Sequence, residues 1–224
     1  MQNEALLHKL YQLNLLRKLG YEYCDAVSIP SKSESIDIGS ASLDELRQAA
    51  LTCHLCNLAK GRKNVVFGEG DAKARLMIVG EGPGASEDEQ GRPFVGRSGE
   101  LLTQMIEKAI GISRASVFIA NVVKCRPPGN RNPESEEMEA CRPFLDKQIE
   151  LVNPEVILCL GGVSFQALSG EETGITKARG KVYEWHGRKL IPSFHPSYLL
   201  RNPSAKKEAY ADMLMVKELL DLKR

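Results

Sequence analysis

Glu81, Asn121 and His195 each lie at or just beyond a short apolar run, and together they carry groups that ligand chemistry needs. A carboxylate can orient water or balance a developing positive charge. An asparagine amide offers one acceptor and two donors, and an imidazole changes its charge near neutral pH. Around them stand Gly80-Glu81-Gly82-Pro83-Gly84, Asn121 leading into Lys124-Cys125-Arg126-Pro127-Pro128, and His195-Pro196-Ser197. A further run ends at Gly161-Gly162. Taken singly, each piece is weak. GEGPG lacks the Lys-Ser/Thr of a P-loop and the spacing of a dinucleotide fingerprint, so as a lone motif it reads as a tight strand-to-helix turn ahead of a phosphate cradle. A lone Asn at a strand end reads as a turn former, a His before Pro as a structural hydrogen-bonding residue, and Phe94 as core.

The cysteines are more specific. They stand at 24, 53, 56, 125, 141 and 159. The N-terminal residues carry Glu4, His8 and Lys9 among leucines and lack a signal-peptide apolar region, so an intracellular, cytoplasmic protein without disulfides is expected. Cys53-x-x-Cys56 offers two close ligands, and a folded core could bring Cys125 and Cys141 to them. Four thiolates suit Zn²⁺ or an iron–sulfur cluster. The second pair is not C-x-x-C, which disfavours a zinc ribbon. Cys159, inside an apolar strand, reads as a packing thiol, and Cys24 as incidental.

The elements that must position these residues follow from periodicity. Residues 1–23 read as a helix and the Ser-rich stretch 28–42 as a flexible linker. Ser42 with Glu45 forms a capping-box signature for a second helix. Strand-like runs cover 75–80, 116–123, 155–161 and 189–194. Helical patterns cover 98–110, 134–151, 163–169 and 205–222. Alternating strands and helices predict βαβ units and a mostly parallel sheet buried on both faces. The Gly in KVYEWHGRKLIPSF marks a local hairpin into the last strand. In such sheets ligands bind beyond the carboxyl ends of the strands, so four strands would deliver candidates to one rim. That convergence outweighs any single motif.

Bulk properties fit this reading. The 224 residues are 42% hydrophobic and 26% charged, enough for a buried core, and no apolar run is long enough to cross a bilayer. A net charge of +1 excludes a uniformly basic surface. It leaves room for a local basic face, with Lys124, Arg126 and Arg131 together, or for simple solvated charge.

In combination, GEGPG, SEDEQGRPFVGRSGELL, NVVKCRPPGNRNP and HPSYLLR resemble the family 4 uracil-DNA glycosylases, the iron–sulfur type. The resemblance runs from about Leu43 to the C-terminus. It implies a glycosylase domain over 43–224 after an N-terminal helix and linker over 1–42. The implied fold is a three-layer α/β sandwich around a four-stranded parallel sheet. It also implies a [4Fe-4S] cluster on Cys53, Cys56, Cys125 and Cys141. Glu81 and Gly82 would belong to the first uracil-site motif, Phe94 would stack on an extruded base, and Asn121 would read its polar edge. His195 would contact its carbonyl, and Glu87 would stand near C5, where it obstructs a thymine methyl. No KRRIH-type insertion follows the second motif, so the covalent, uracil-trapping relatives fit less well.

The expected partner is uracil-containing DNA, single- or double-stranded, met by a monomer with no membrane involved. Lys124, Arg126, Arg131 and Arg201 are candidates for phosphate contact, with Arg62 and Lys63 beside the cysteine pair. Leu199 or Leu200 could wedge into the gap left by a flipped base, or simply be core. Two competing readings are a non-enzymatic nucleic-acid module held by the cysteine centre and a zinc-stabilised hydrolase of nucleotides.

Overall fold

The computed structural model describes residues 42–221. The N-terminal helix and nearly all of the linker expected before Leu43 lie outside the described residues, as does Cys24. The described chain opens with helix α1 (Leu43–Leu51). Ser42 caps it: its hydroxyl accepts from the Glu45 amide while the Glu45 carboxylate accepts from the Ser42 amide at 2.7 Å. This is the expected capping box.

Strands β1 (Glu69–Gly70) and β2 (Leu76–Gly80) follow, then helices α2 (Ala85–Gln90) and α3 (Arg97–Gln104), the latter continuing as a π-helical segment over Met105–Ile110. Next come β3 (Phe118–Asn121), α4 (Ser135–Val152), β4 (Val156–Leu160), α5 (Gly162–Ser169) and the short α6 (Ile175–Ala178). The chain closes with β5 (Tyr183–Trp185), β6 (Arg188–Ser193), α7 (Pro196–Arg201) and α8 (Lys206–Leu219).

The sheet order is β1-β3-β2-β4-β6-β5. The four inner strands are mutually parallel, and both edge strands pair antiparallel. The expectation of a four-stranded parallel sheet therefore holds for the centre, but the sheet is mixed and has six strands. Two residues of β1, one a glycine, are too few to show any periodicity. Strand β5 is the first arm of the expected hairpin, turned at His186-Gly187 with φ of 46° and 78°, the signature of a primed turn.

Alternation along the inner strands divides the core. Met77, Val79, Phe118, Ala120, Ile157 and Cys159 face one side, where α1, α4 and α5 pack. Leu76, Ile78, Ile119, Val156, Leu158 and Ile191 face the other, against α3, its π segment and α8. Strands buried on both faces need apolar residues at every position, which explains runs such as Leu76–Val79. Among the described residues no helix is long and apolar enough to cross a membrane.

This topology sets the site. The chain leaving β2 turns toward β3, and the chain leaving β4 turns toward β6. Adjacent strands whose connections diverge open a crevice at their carboxyl ends. Register aligns the rim: Gly80 lies beside Asn121, and Leu160 beside Ser193.

Candidate active site

A cleft of about 890 Å³ opens at that rim. All four strand-end sequences contribute to it, through Glu81, Asn121, Gly161 and His195. Glu87, from α2, and Phe94, from the loop that follows it, line the cleft as well.

Asn121 is the last residue of β3 and is 1% exposed. Its Oδ1 is buried and has no hydrogen-bond partner among the described residues. An unmet buried acceptor costs roughly 1–3 kcal/mol, which a donor on a ligand could recover. Gly80 makes its placement possible. A Cβ there would lie 2.4 Å from Asn121 Oδ1 and 2.6 Å from Phe94 Cζ, so only glycine lets amide and ring come together.

Phe94 has φ of 51°, a left-handed conformation in a non-glycine residue. Such conformations cost on the order of 1–3 kcal/mol and persist where surroundings enforce them. Here Glu87 Oε1 accepts from the amides of Val95 (3.0 Å) and Gly96 (3.3 Å), and Arg114 donates to the Pro93 carbonyl at 2.8 Å. Gly99 leaves room beneath, because a Cβ there would meet the Phe94 carbonyl oxygen at 1.8 Å. The Phe94 ring centroid stands 5.6 Å from that of His195, inclined at 33°.

His195 caps α7. Its Nδ1 accepts from the Ser197 amide at 3.1 Å and lies 2.8 Å from the Ser197 hydroxyl. With Nδ1 accepting, the neutral ring carries its proton on Nε2. Burial pushes its pKa down to about 4, and the Arg201 charge acts in the same direction, against the opposing Glu87. The ring is therefore neutral at physiological pH. Burial alone raises the Glu81 carboxyl above the usual carboxylate range.

Cys53, Cys56, Cys125 and Cys141 line one pocket between α1 and the start of α4, together with Ala50, Leu55, Ala59, Ala140 and Phe144. All four thiols are free. Two receive N–H donors: Arg62 Nη1 to Cys125 Sγ and the Lys124 amide to Cys141 Sγ, each at 3.3 Å. Burial raises the thiols of Cys56 and Cys125 and pushes Cys141 up to about 12. Among the described residues no group of three His, Cys, Asp or Glu side chains is placed to hold a single metal ion. Cys159 is fully buried in β4, as expected of a packing thiol.

The sequence profile of the Uracil DNA glycosylase superfamily matches residues 67–215, two thirds of the chain. The chain belongs to the uracil-DNA glycosylase superfamily. It is 45% identical over 186 residues to the type-4 uracil-DNA glycosylase of Sulfurisphaera tokodaii, covering 80% of this chain and 84% of that protein. To the type-4 uracil-DNA glycosylase of Thermotoga maritima it is 53% identical over 154 residues, 68% of this chain and 80% of the relative. A type-5 uracil-DNA glycosylase of Pyrobaculum aerophilum is more distant, at 33% over 147 residues.

The residues expected to form the uracil site meet at one cleft: Glu81, Gly82, Glu87, Phe94, Asn121 and His195 all line it. Of the expected phosphate contacts, Arg131 and Arg201 do so too. Arg131 is held by the Glu137 carboxylate through two hydrogen bonds of 2.7 and 2.9 Å. Arg126 lies apart from the cleft lining and donates to Asn130 Oδ1 at 2.8 Å.

Lys124 is corrected. It is 2% exposed, and its ammonium donates to the Asn121 carbonyl at 2.7 Å and to Gln148 Oε1 at 2.6 Å, so it cannot reach a phosphate. Leu199 is corrected as a wedge: it is 1% exposed and packs with Phe194, Ala205 and Ala209. Arg62 serves the cysteine pocket, and Lys63 is ion-paired with Glu89. Sequence reasoning missed Arg97 and Tyr198 in the cleft wall. Both sit inside quoted motifs, GRPFVGR and HPSY, but only the turn of α3 and of α7 shows that they face the cleft.

Proposed function

We propose that this protein excises uracil from DNA, hydrolysing the N-glycosidic bond to release free base and leave an abasic site. The observation that carries the reading is the buried Oδ1 of Asn121, without a partner among the described residues, which borders the same space over Gly80 as the edge of the Phe94 ring. A flat ligand resting on Phe94 with a ring N–H at its edge would satisfy that acceptor.

A base inside a duplex is out of reach, so it must be flipped into the cleft at a cost of a few kcal/mol. Stacking on Phe94 recovers part of that, about 1–3 kcal/mol, without distinguishing bases. Asn121 distinguishes them. It accepts from uracil N3–H and donates from Nδ2 to O4, whereas cytosine presents an acceptor at N3 and a donor at C4. A mispaired buried edge is rejected strongly. Glu87, in the cleft wall, stands toward C5, where a thymine methyl would project.

Cleavage builds positive charge on the sugar and negative charge on the departing uracil. His195 Nε2–H donates to O2, where that negative charge develops, and its neutral ring already carries the needed proton. Glu81 orients the attacking water and balances the sugar. Its raised pKa brings it nearer to neutral pH, which favours a base.

The four cysteines fit an iron–sulfur cluster. The pocket offers thiols alone, two N–H donors to sulfur, and Arg62 and Lys124 to balance an anionic group. We assign a [4Fe-4S] cluster to Cys53, Cys56, Cys125 and Cys141. When bound, it would supply iron–thiolate links joining the segment after α1 to the β3–α4 connection. Arg201, Arg131 and Arg97 serve the phosphates. One chain carries every wall of the cleft, so the protein acts as a monomer, in the cytoplasm where thiols stay reduced.

The test is release of free uracil from a uracil-containing oligonucleotide, followed by alkaline cleavage at the abasic site. An intact strand after alkali, with folded protein, would overturn the proposal.

A further inference from the structure

We propose that Tyr198 is the side chain that enters the base stack of duplex DNA when a nucleotide is flipped into the cleft. The inference rests on the uracil-excision reading above.

Of the five large hydrophobic side chains exposed among the described residues, only Tyr198 lines the cleft. It is 39% exposed, whereas its neighbour Leu199 is 1% exposed and belongs to the core. Helix α7 sets the division: His195 starts the helix inside the cleft, and the Tyr198 amide bonds back to the His195 carbonyl at 2.9 Å. One turn thus separates the imidazole that faces the base from the phenol at the rim.

The ring is held for the task. Its centroid is 4.9 Å from that of Phe194, inclined at 33°. The Arg179 guanidinium lies over the Phe194 ring at 5.3 Å from its centroid. Arg179 in turn is anchored to the fully buried Asp212 by hydrogen bonds of 2.6 and 3.0 Å, and Ser193 donates to the same carboxylate at 2.7 Å. An exposed aromatic so supported loses little freedom on insertion. Large apolar side chains inserted at a base step unstack it and hold the distorted duplex, and an aromatic face also stacks on the bases it meets. Arg201, one turn further and exposed, would sit by the adjoining phosphates.

The test compares binding to two duplexes of one sequence, one intact and one carrying a tetrahydrofuran abasic analogue, for wild type, Tyr198→Ala and Tyr198→Phe. Fluorescence anisotropy gives the affinity ratio. Wild type should prefer the abasic duplex, and Tyr198→Ala should lose about 5- to 100-fold of that preference. Intact-duplex affinity should stay within about twofold, since phosphate contacts are untouched. Tyr198→Phe should keep the preference. An unchanged ratio in Tyr198→Ala, an equal loss on both duplexes, or a Phe variant as poor as Ala would overturn the proposal. Uracil release by wild type is scored separately. Its failure counts against the excision reading, while the binding ratio still decides the role of Tyr198.

Discussion

The ammonium of Lys124 donates to the backbone carbonyl of Asn121 at 2.7 Å, and this bond ties the residue proposed to read the base to the cysteine pocket, which Lys124 also lines. The Lys124 ammonium also donates to Gln148 Oε1 at 2.6 Å, and its backbone amide donates to Cys141 Sγ. Burial lowers its pKa to about 8, with the neighbouring thiols opposing the shift. A lysine in a basic run thus serves as an internal strut.

The first prediction separates strut from phosphate contact. Lys124→Met leaves buried acceptors on Asn121 and Gln148 without their donor, so stability should fall by about 1–3 kcal/mol for each unmet group. The salt slope of DNA binding should not change. Arg201→Ala should do the reverse, keeping stability and lowering the slope by about 0.7–0.9. Equal slopes for Arg201→Ala and wild type, with a reduced slope for Lys124→Met, would reverse these assignments.

Lys124 also marks the boundary of what sequence reasoning can see. The inner strands were legible because burial on both faces demands continuous apolar runs, and parallel order then aligned Glu81, Asn121, Gly161 and His195. Composition does not say which way a side chain turns within a polar motif. Lys124 and Arg126 differ by two positions, yet one is interior and the other partly exposed. Leu199 and Tyr198 are adjacent and face opposite ways. Edge strand β1 is set by tertiary closeness: a Cβ on Gly70 would fall 1.8 Å from the Val117 carbonyl oxygen, and no local pattern encodes that.

The second prediction concerns Gly80. In Gly80→Ala the new methyl collides with both Asn121 Oδ1 and the Phe94 ring. Displacement by about an ångström of the groups proposed to read the base and to stack on it should lower kcat/KM by roughly 100-fold. Cysteine-pocket integrity and overall fold should survive, as monitored by circular dichroism. Near-wild-type turnover would show that the close approach is not needed.

Third, Asn121→Asp should gain weak excision of cytosine from single-stranded DNA. At 1% exposure a carboxyl is favoured in its neutral form. It can then donate to cytosine N3 through O–H and accept from the N4 amino group. Single-strand substrates avoid the cost of opening a G·C pair. Mass-spectrometric detection of released cytosine provides the readout, and a folded variant that releases none would remove Asn121 from base selection.

Fourth, the cysteine assignment predicts a brown protein on anaerobic purification, with visible charge-transfer absorption and about four irons per chain. Replacing Cys141 by Ser should bleach the colour and destabilise the α1–α4 contact. A colourless wild-type protein with stoichiometric zinc would sink the cluster.

Finally, His195 links catalysis to pH. Its pKa of about 4 in the folded chain lies below the ordinary value of 6.5. Between those values the unfolded chain binds a proton that the folded chain does not, so stability rises with pH across that window. On acidification the loss begins near 6.5 and levels off below about 4. The stability of wild type relative to His195→Asn, which cannot take the proton, should therefore decline over the same range. Above pH 7 the difference should be flat. In activity, His195→Ala should lower turnover far more than DNA affinity, because its Nε2 donor matters most when charge reaches the uracil oxygen. An NMR titration placing the His195 ring near its ordinary pKa would remove the neutral donor, and comparable losses in turnover and binding would remove the role itself.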